Sequence, residues 1–512
     1  MYCEDGNDII TPVTPDDPHA ELASVEAKMS TISATLQRLL TKTHVLKSRI
    51  NDIDSPFLRL LPAEIISAVF EFCTPSWTLY NDTSNCTHEP FPLKLGSICT
   101  RLRRIAWRTP TLWASLSLFI TPKNCASQIS LLDEWISRSG DLPLLINLSS
   151  EDEQSWSEPD APTAAVEVIK KYSSRWRWLH LQLPTSCYAS LPGPEICLPL
   201  LTALHIDPAG GQTERRHKVD MSHTSQIKYL GLSCVYLTSM VFQFNQVTHL
   251  TLQSFYVDEC LKVLSQSPQV VDCTLRSFID GDDGHTLPVS PVILPALKRL
   301  TLDNVKDTPI ASLLSIIRIP NAMELTYSGR NLIHITQLCA LISRSTSLRT
   351  FSLLGTFVSS ENIFVQLLTA LKSIKEFNLD VSNVVPNASS PLVDRILQQC
   401  NPSATDGSGT DCLLPALETF KYSGAQSFSW SEFISTIKSR SHSNQEGSSS
   451  EQSISAWRTV ELHLTRLGYN VSKPSAELMA ELEELTRQLT LMLHFPLESG
   501  DQENHSDDIG IL

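Results

Sequence analysis

Signals for secretion, membrane insertion and disulfide formation are scarce in this 512-residue sequence. Its thirteen cysteines include no CxxC pair and no cysteine–histidine cluster at metal-ligand spacing, which favours small buried thiols in a reducing compartment. No apolar run approaches the roughly 20 residues that span a bilayer. The first residues are acidic and polar, unlike a signal peptide. We therefore expect an intracellular protein, cytoplasmic or nuclear, that has no membrane segment.

Basic residues are also fewer than acidic residues. The chain carries 40 lysines and arginines against 55 acidic residues, which gives a formal net charge of −15. Affinity for nucleic acid comes mostly from clustered basic side chains, so this balance argues against a nucleic-acid partner. One dense basic run occurs, and we interpret it as a solvated helix face; it comprises Arg101, Arg103, Arg104 and Arg108.

Catalytic motifs are missing as well. The sequence has no phosphate-binding loop, no GxGxxG after a strand, no GxSxG and no HExxH. The acidic run that begins at Asp280 resembles a calcium loop, but Pro291 stands where the twelfth-position acid is required. His334 and His463 lie within apolar stretches and are predicted to be core residues. We predict a non-enzyme, and we assign no catalytic, cofactor-binding or metal-binding residue.

The N-terminal part of the chain contains a heptad pattern. Residues 1–20 are acidic and proline-containing, and are predicted to be disordered. A coiled-coil-like helix is predicted over 21–53 from apolar residues at alternating three- and four-residue steps. They are Leu22, Val25, Met29, Ile32, Leu36, Leu39, Leu46 and Ile50. Two interpretations stay open, namely self-association through 21–50 and folding of this helix back on its own domain.

Two amphipathic helices are predicted next. Pro62 suits a helix start because proline has a helical φ and lacks an N–H that would be unpaired there. One apolar face follows at helical spacing, and it comprises Ile65, Ile66, Val69, Phe70 and Cys73. A second helix is predicted from the same period at Leu95, Ile98, Cys99, Leu102, Ile105 and Ala106. Short helices of this kind need each other or a partner to cover their apolar faces.

Residues 54–115 resemble the F-box of many basidiomycete fungal proteins. The resemblance rests on four separated pieces in the right order, which are Leu61-Pro62-Ala63-Glu64-Ile65-Ile66, Phe70 with Cys73, Leu93-Lys94-Leu95-Gly96-Ser97-Ile98-Cys99, and Thr109-Pro110-Thr111-Leu112-Trp113. It departs from the family where Leu102 replaces the usual tryptophan and where residues 74–91 form a longer polar insert.

The resemblance implies an adaptor function. F-box proteins bind a Skp-family adaptor, which connects them to a cullin-RING ligase, while the rest of the chain holds a protein substrate. The resemblance places the adaptor-binding residues at Leu61, Pro62, Ile65, Ile66, Val69, Phe70, Ile98 and Leu102. The last six of these residues could instead pack between the two helices.

The remainder of the chain repeats itself. A unit of the form apolar-x-x-apolar-x-apolar starts at Trp176, Leu201, Ile227, Val247, Val270, Leu297, Ala322, Leu348, Ile374, Leu417 and Trp457. Eight of the ten spacings between starts lie between 20 and 27 residues, and polar insertions near 401–411 and 441–455 account for the two longer ones. Helical segments lie between the units. We therefore predict an α/β chain whose residues 116–470 form a degenerate leucine-rich-repeat-like solenoid of strand–helix repeats of about 25 residues.

Two C-terminal segments complete the prediction. An amphipathic capping helix is expected over 471–497 from Leu478, Leu482, Leu485, Leu489 and Met492, followed by a disordered acidic tail over 498–512. The sequence thus favours a substrate receptor of an SCF-type ubiquitin ligase. A non-ligase scaffold that binds partners through the coiled coil and the repeats is the alternative. No cofactor is expected for either function.

Overall fold

The structure is a computed structural model of the whole chain. It describes all residues except 1–17, 75–89, 157–161, 189–190, 192–197, 210–218, 223, 225, 280–286, 306–309, 330–331, 333, 357, 359, 384–391, 403–411, 443–453, 466–472, 488 and 496–512. The predicted acidic tail, most of the acidic N-terminal segment, the insert after the first F-box-like helix and most of both polar insertions therefore lie outside the described residues. So does the start of the calcium-like loop.

The chain divides into two units. Unit 1 comprises Met1–Ser117 and Trp135–Leu142, and unit 2 comprises Leu118–Glu134 and Pro143–Leu512. The described helices of the first 117 residues are α1 (Pro18–Asp54), α2 (Pro56–Leu60), α3 (Ala63–Cys73), α4 (Phe91–Ile98) and α5 (Thr100–Trp107), followed by a 3-10 turn at Pro110–Trp113.

Helix α1 covers the segment in which the heptad pattern predicted a helix. Its apolar stripe is exposed, with fractional exposures between 46% for Leu46 and 67% for Ile32. Threonine hydroxyls along the helix donate to carbonyls four residues earlier, as at Thr31 and Thr35. No other part of the described chain covers this stripe, so folding back on the domain is not what the structure shows.

The predicted second F-box-like helix is wrong in one respect, because it is two helices. Cys99 interrupts the period with an extended backbone, φ −156° and ψ 165°, and separates α4 from α5. Its Sγ accepts a hydrogen bond from the Leu102 amide at 3.5 Å, which caps the start of α5. An apolar residue at the right period thus acts as a helix boundary.

Unit 2 is built on a parallel sheet. The described strands are β1 (Ser115–Ile120), β2 (Leu144–Ser150), β3 (Trp176–Gln182), β4 (Ala203–Ile206), β5 (Val219–Asp220), β6 (Tyr229–Ser233), β7 (Met240–Val241), β8 (His249–Gln253), β9 (Asp272–Arg276), β10 (Val292–Ile293), β11 (Arg299–Val305), β12 (Ile317–Arg318), β13 (Glu324–Gly329), β14 (Thr350–Leu354), β15 (Glu376–Asp380), β16 (Thr419–Gly424), β17 (Thr459–Leu464) and β18 (Thr490–His494). Fourteen of them form one sheet in the order β1-β2-β3-β4-β6-β8-β9-β11-β13-β14-β15-β16-β17-β18, while β5 pairs with β7 and β10 with β12.

The strands are in register along the sheet. Leu325 on β13 pairs with Phe351 on β14, which in turn pairs with Phe377 on β15. These side chains are buried, whereas their neighbours Thr350 and Ser352 are partly exposed. We call the partly exposed side the open face. Because side chains alternate along a strand, every second residue of each strand lies on this face.

Helices connect most of the strands. They are α6 (Cys125–Arg138), α7 (Thr163–Lys170), α8 (Thr185–Tyr188), α9 (Val257–Ser265), α10 (Ile310–Ile316), α11 (Ile335–Arg344), α12 (Glu361–Ala370), α13 (Asp394–Cys400), α14 (Trp430–His442) and α15 (Ala476–Leu485). Successive helices lie side by side, as α10 does with α11 and α14 with α15. The prediction of a mixed α/β chain with a long parallel sheet is confirmed, and the arrangement is consistent with a solenoid of the leucine-rich-repeat kind.

The predicted capping helix over 471–497 is wrong in its second half. Helix α15 ends at Leu485, and the next residues form the strand β18, which pairs with β17. Leu491 and Leu493 are buried in alternation, so the apolar side chains there follow a strand period. The sheet therefore extends beyond residue 470, the predicted end of the repeats.

A buried arginine ties α14 to two neighbouring segments. Arg440 is fully buried, and its guanidinium donates to the carbonyls of Cys400 at 2.8 Å and Leu414 at 2.9 Å, and also to that of Leu413. It lies 5.3 Å from the ring centroid of Trp457. These three carbonyls thereby gain a charged donor in addition to the Leu417 amide, which donates to Leu414, and the Cys412 thiol, which donates to Cys400 and Leu413.

Among the described residues, no helix combines the length and the apolar character that crossing a bilayer requires.

Candidate functional site: the exposed apolar surface of α3

Helix α3 begins and ends at defined polar contacts. Pro62 precedes it with φ −59° and ψ 155°, and its carbonyl accepts the Ile66 amide at 3.2 Å. The residue directly after the helix is Thr74, whose hydroxyl donates to the Phe70 carbonyl at 2.8 Å. The Thr111 hydroxyl donates to the Glu71 carboxylate at 2.6 Å, which fixes the last turn against the 3-10 segment.

The eight predicted adaptor-binding residues separate into two groups. Three of them are buried inside unit 1, namely Ile66, Phe70 and Leu102. The other five are accessible, with Leu61 partly exposed and with Pro62, Ile65, Val69 and Ile98 exposed. Leu102 therefore packs internally. The accessible residues are the ones that could contact another protein.

Three exposed apolar residues form a ridge on α3. Ile65 is 49% exposed, Val69 is 37% exposed and Phe72 is 92% exposed. At 3.6 residues per turn their positions fall within an arc of roughly 60°, beside the arc that holds the buried Ile66 and Phe70. We call Ile65, Val69 and Phe72 the α3 ridge. An apolar helix face left uncovered is typical of a protein-binding surface.

Phe72 and Leu60 were missed by the sequence reasoning. Leu60, at the end of α2, is 77% exposed. Phe72 lies seven residues after Ile65 and three after Val69, so the helical period contained the signal that would have found it. Ile98 is exposed on a different element, at the C-terminal end of α4.

A tryptophan cluster supports this surface from within unit 1. The Trp113 ring contacts Trp107 and Trp135 edge to face, with centroid distances of 5.1 and 4.8 Å. The Arg138 guanidinium lies 4.8 Å from the centroids of both Trp107 and Trp113. Trp113 Nε1 donates to the Ala106 carbonyl at 2.8 Å. Trp113, the last residue of the Thr109–Trp113 segment, therefore packs inside unit 1.

Gly96 allows the close approach of α4 and α5. A Cβ at this position would lie 2.4 Å from Cζ3 of Trp107, so only glycine fits without displacement of the indole. The Arg103 side chain donates to the Gly96 carbonyl at 2.7 Å across the same contact.

The open face of unit 2 is polar, and many of its charges are paired across strands. Arg299 on β11 contacts Asp272 on β9 at 2.7 Å, and Lys421 on β16 contacts Glu376 on β15 at 3.1 Å. Hydroxyl side chains such as Thr301, two residues after Arg299 on β11, lie on the same face. The surface offers many hydrogen-bonding groups, as a protein-binding face does.

The N-terminal part of that face carries two adjacent imidazoles, of which His180 is buried and His205 is partly exposed. His180 on β3 pairs in register with His205 on β4, and their ring centroids are 4.5 Å apart. Burial, together with the neighbouring charge of His205, lowers the pKa of His180 to about 3. Burial also lowers the pKa of His205 to about 4, with a contribution from Arg276. A Cβ at Gly231 would lie 2.0 Å from Nδ1 of His205, so this ring occupies the space above the glycine.

The two histidines predicted to be core residues are not buried. His334 precedes α11 and is partly exposed. The His463 side chain is 45% exposed on β17. The apolar neighbours of His463 in the sequence were a poor guide to its burial. Alternate residues of a strand lie on opposite faces of the sheet, so buried neighbours leave the residue between them on the other face.

Comparison with known proteins adds little to this description. No protein-family model matches the chain, and no curated protein matches it. A solved structure described as "Crystal structure of TLR13-ssRNA13 complex" is similar, with a TM-score of 0.26 and 13% sequence identity. The match covers 65% of this chain and 47% of that chain. The chain thus spans about half the length of that protein.

Proposed function

We propose that this chain is a substrate receptor of an SCF-type E3 ubiquitin ligase and is itself non-catalytic. In this proposal residues 54–115 are an F-box that binds a Skp-family adaptor, and the leucine-rich-repeat-like unit 2 binds a protein substrate. The observation that carries it is the α3 ridge, which leaves apolar side chains uncovered directly after the Leu61-Pro62 piece of the F-box resemblance.

The division between buried and exposed residues supports a binding role for α3. Ile66 and Phe70 already stabilise unit 1 from inside, so the ridge is not needed for internal packing. Exposed isoleucine, valine and phenylalanine are favourable to cover, since burial of apolar surface contributes about 25 cal/mol per Å². The receptor would act by proximity, since holding the substrate near the ubiquitin-conjugating enzyme raises the effective concentration of its lysines.

The proposal is tested by adaptor binding. A variant with Ile65→Ser, Val69→Ser and Phe72→Ser removes the ridge without touching a buried residue, and Ile293→Ser removes an exposed apolar side chain elsewhere as a matched control. We expect the triple variant to bind purified Skp-family adaptor at least about tenfold more weakly, because interface anchors each contribute on the order of 1 kcal/mol or more. Circular dichroism checks that all proteins are folded.

Two results would contradict the receptor function. One is equal adaptor affinity of the intact chain and the triple variant, and the other is no measurable adaptor binding by the intact chain. A Leu61→Ala/Pro62→Ala variant tests the motif itself in the same assay. The second result would favour the scaffold.

The exposed stripe of α1 favours a second candidate function, a scaffold that assembles through a second copy of this chain. With Leu22 at heptad position a, the flanking positions hold Glu21, Glu26 and Lys28 toward the N-terminal end, which is net acidic, and Lys42, Lys47 and Arg49 toward the C-terminal end, which is basic. A parallel in-register pair would place like charges together at both ends. An antiparallel pair would set the acidic end of one helix against the basic end of the other, so we propose antiparallel pairing.

Self-association is tested by measuring the mass in solution. Light scattering coupled to size exclusion should show a dimer for the intact chain and a monomer for Leu36→Glu/Leu39→Glu. Thr41→Glu places the same charge away from the stripe and should leave the dimer intact. A monomeric intact chain at tens of micromolar would contradict this pairing. A ligase receptor can also be a dimer. The adaptor-binding test and the measurement of mass in solution are therefore interpreted independently.

A further inference from the structure

A cluster of two histidines and a glutamate lies at the C-terminal end of the sheet. The register of β17 and β18 pairs His463 with His494, and it pairs Glu461 with Met492. All four side chains are partly exposed, and they share the open face because they alternate with the buried Leu462 and Leu493. The fold thus brings together residues that are more than thirty positions apart in sequence.

The ligand atoms of this cluster are close together. The imidazoles of His463 and His494 stack with a centroid distance of 3.8 Å and an interplanar angle of 6°. Nε2 of His463 lies 2.9 Å from Oε1 of Glu461. One ligand atom from each of the three residues lies within 4.8 Å of the other two. Zinc–nitrogen bonds of about 2.0–2.1 Å in a tetrahedron place two ligands roughly 3.4 Å apart, so rotation of the side chains closes the site.

From this geometry we propose that Glu461, His463 and His494 form a binding site for a divalent transition metal of the zinc class. Two imidazoles and one carboxylate suit Zn²⁺, Ni²⁺ or Cu²⁺ rather than Mg²⁺ or Ca²⁺, which prefer all-oxygen ligands. This site does not depend on the proposed ligase function.

The surrounding charges are compatible with a cation. Lys421 on β16 is in register with Glu461, but its ammonium contacts Glu376 at 3.1 Å, on the side of the lysine away from β17. The Glu461 carboxylate and His463 share a hydrogen bond that a metal ion replaces, and any proton held there is released. Three protein ligands leave the fourth tetrahedral position to water or to a donor from a bound partner, since the cluster lies on the open face.

Metal binding can be measured directly. Isothermal titration of the chelator-treated, reduced full-length chain with Zn²⁺ should show a site that is lost or weakened at least about tenfold in His463→Gln and in His494→Gln. His249→Gln changes another partly exposed histidine of the same face, which stacks on Tyr229, and it should leave this site unchanged.

The spectrum of bound Co²⁺ separates this cluster from the cysteines. Bands of nitrogen and oxygen ligation that disappear in both histidine variants support the site. Thiolate bands alone, unchanged affinity in both variants, or no metal bound by the intact chain would each overturn it. The variants change partly exposed residues near the sheet edge, so a thermal melt close to that of the intact chain shows that they are folded.

Discussion

The adjacent imidazoles of His180 and His205 predict that the free energy of unfolding falls in acid. In the folded chain burial keeps both rings neutral, with pKa values of about 3 and about 4. In the unfolded chain both would titrate near pH 6.5. Below that pH the unfolded state takes up protons that the folded state does not, so the free energy of unfolding falls. The stabilising contribution is fully present above pH 6.5 and is lost progressively as the pH falls toward the folded values.

The size of the effect follows from these shifts. At pH 5 an unfolded imidazole is almost fully protonated and a folded one is almost fully neutral, which costs about 2 kcal/mol for each histidine and about 4 kcal/mol for the pair. This is a large part of the 5–15 kcal/mol that is typical of a folded domain. Other titrating groups add their own pH dependence, so the test compares variants.

The assay is urea unfolding followed by tryptophan fluorescence at pH 7.5 and pH 5. The variant His180→Leu/His205→Leu should lose about 4 kcal/mol less than the intact chain between these pH values. In the described part of the chain Nε2 of His180 has no hydrogen-bond partner, so the substitution His180→Leu removes no hydrogen bond of this atom. His44→Leu, on the exposed surface of α1, is the matched control. An identical pH dependence in the double variant and the intact chain would refute the reasoning.

Three further predictions, made with four substitutions, concern the packing of side chains. Arg440→Met removes the charged donor that the carbonyls of Cys400, Leu413 and Leu414 share and should cost about 3–5 kcal/mol in urea unfolding; a loss below about 1 kcal/mol contradicts this. Gly96→Ala places a methyl group against Trp107 and should lower stability by about 1–3 kcal/mol, visible as a lower melting temperature that an unstrained site would not show. Ile66→Ala should cost about 2–5 kcal/mol, whereas Ile65→Ala should cost under about 1 kcal/mol, because only Ile66 is buried; equal losses would argue against this placement of α3.

The strands of unit 2 were predictable because their signal is local. Each sequence repeat contributes two apolar residues at strand spacing, such as Phe351 and Leu353. In the structure these residues lie in register on the buried side of the sheet. The last strand was missed because Gln488 stands where the pattern expects an apolar residue, and because Leu485, Leu489 and Met492 also fit a helical period. A short apolar run fits both periods, and pairing with β17 decides between them.

The candidate sites were less predictable, since they depend on contacts between elements. Ile65 and Ile66 are adjacent and equally apolar, yet packing inside unit 1 buries only the second. Cys99 could not be recognised as a cap from its period alone. His463 gains its neighbour His494 only through the register of two strands, and sequence spacing carries no information about that register.

In the C-terminal half of the sheet, strands that follow each other in the chain also lie side by side, and this order affects how unit 2 unfolds. Each strand from β14 to β17 is hydrogen-bonded to the strands directly before and after it in the chain, so these pairings of the described sheet link only successive repeats. Cooperativity then passes from neighbour to neighbour, and opening starts where a strand has one neighbour instead of two. The terminal strand β18 is such a place. Local opening there would separate His494 from His463 while the central strands stay paired.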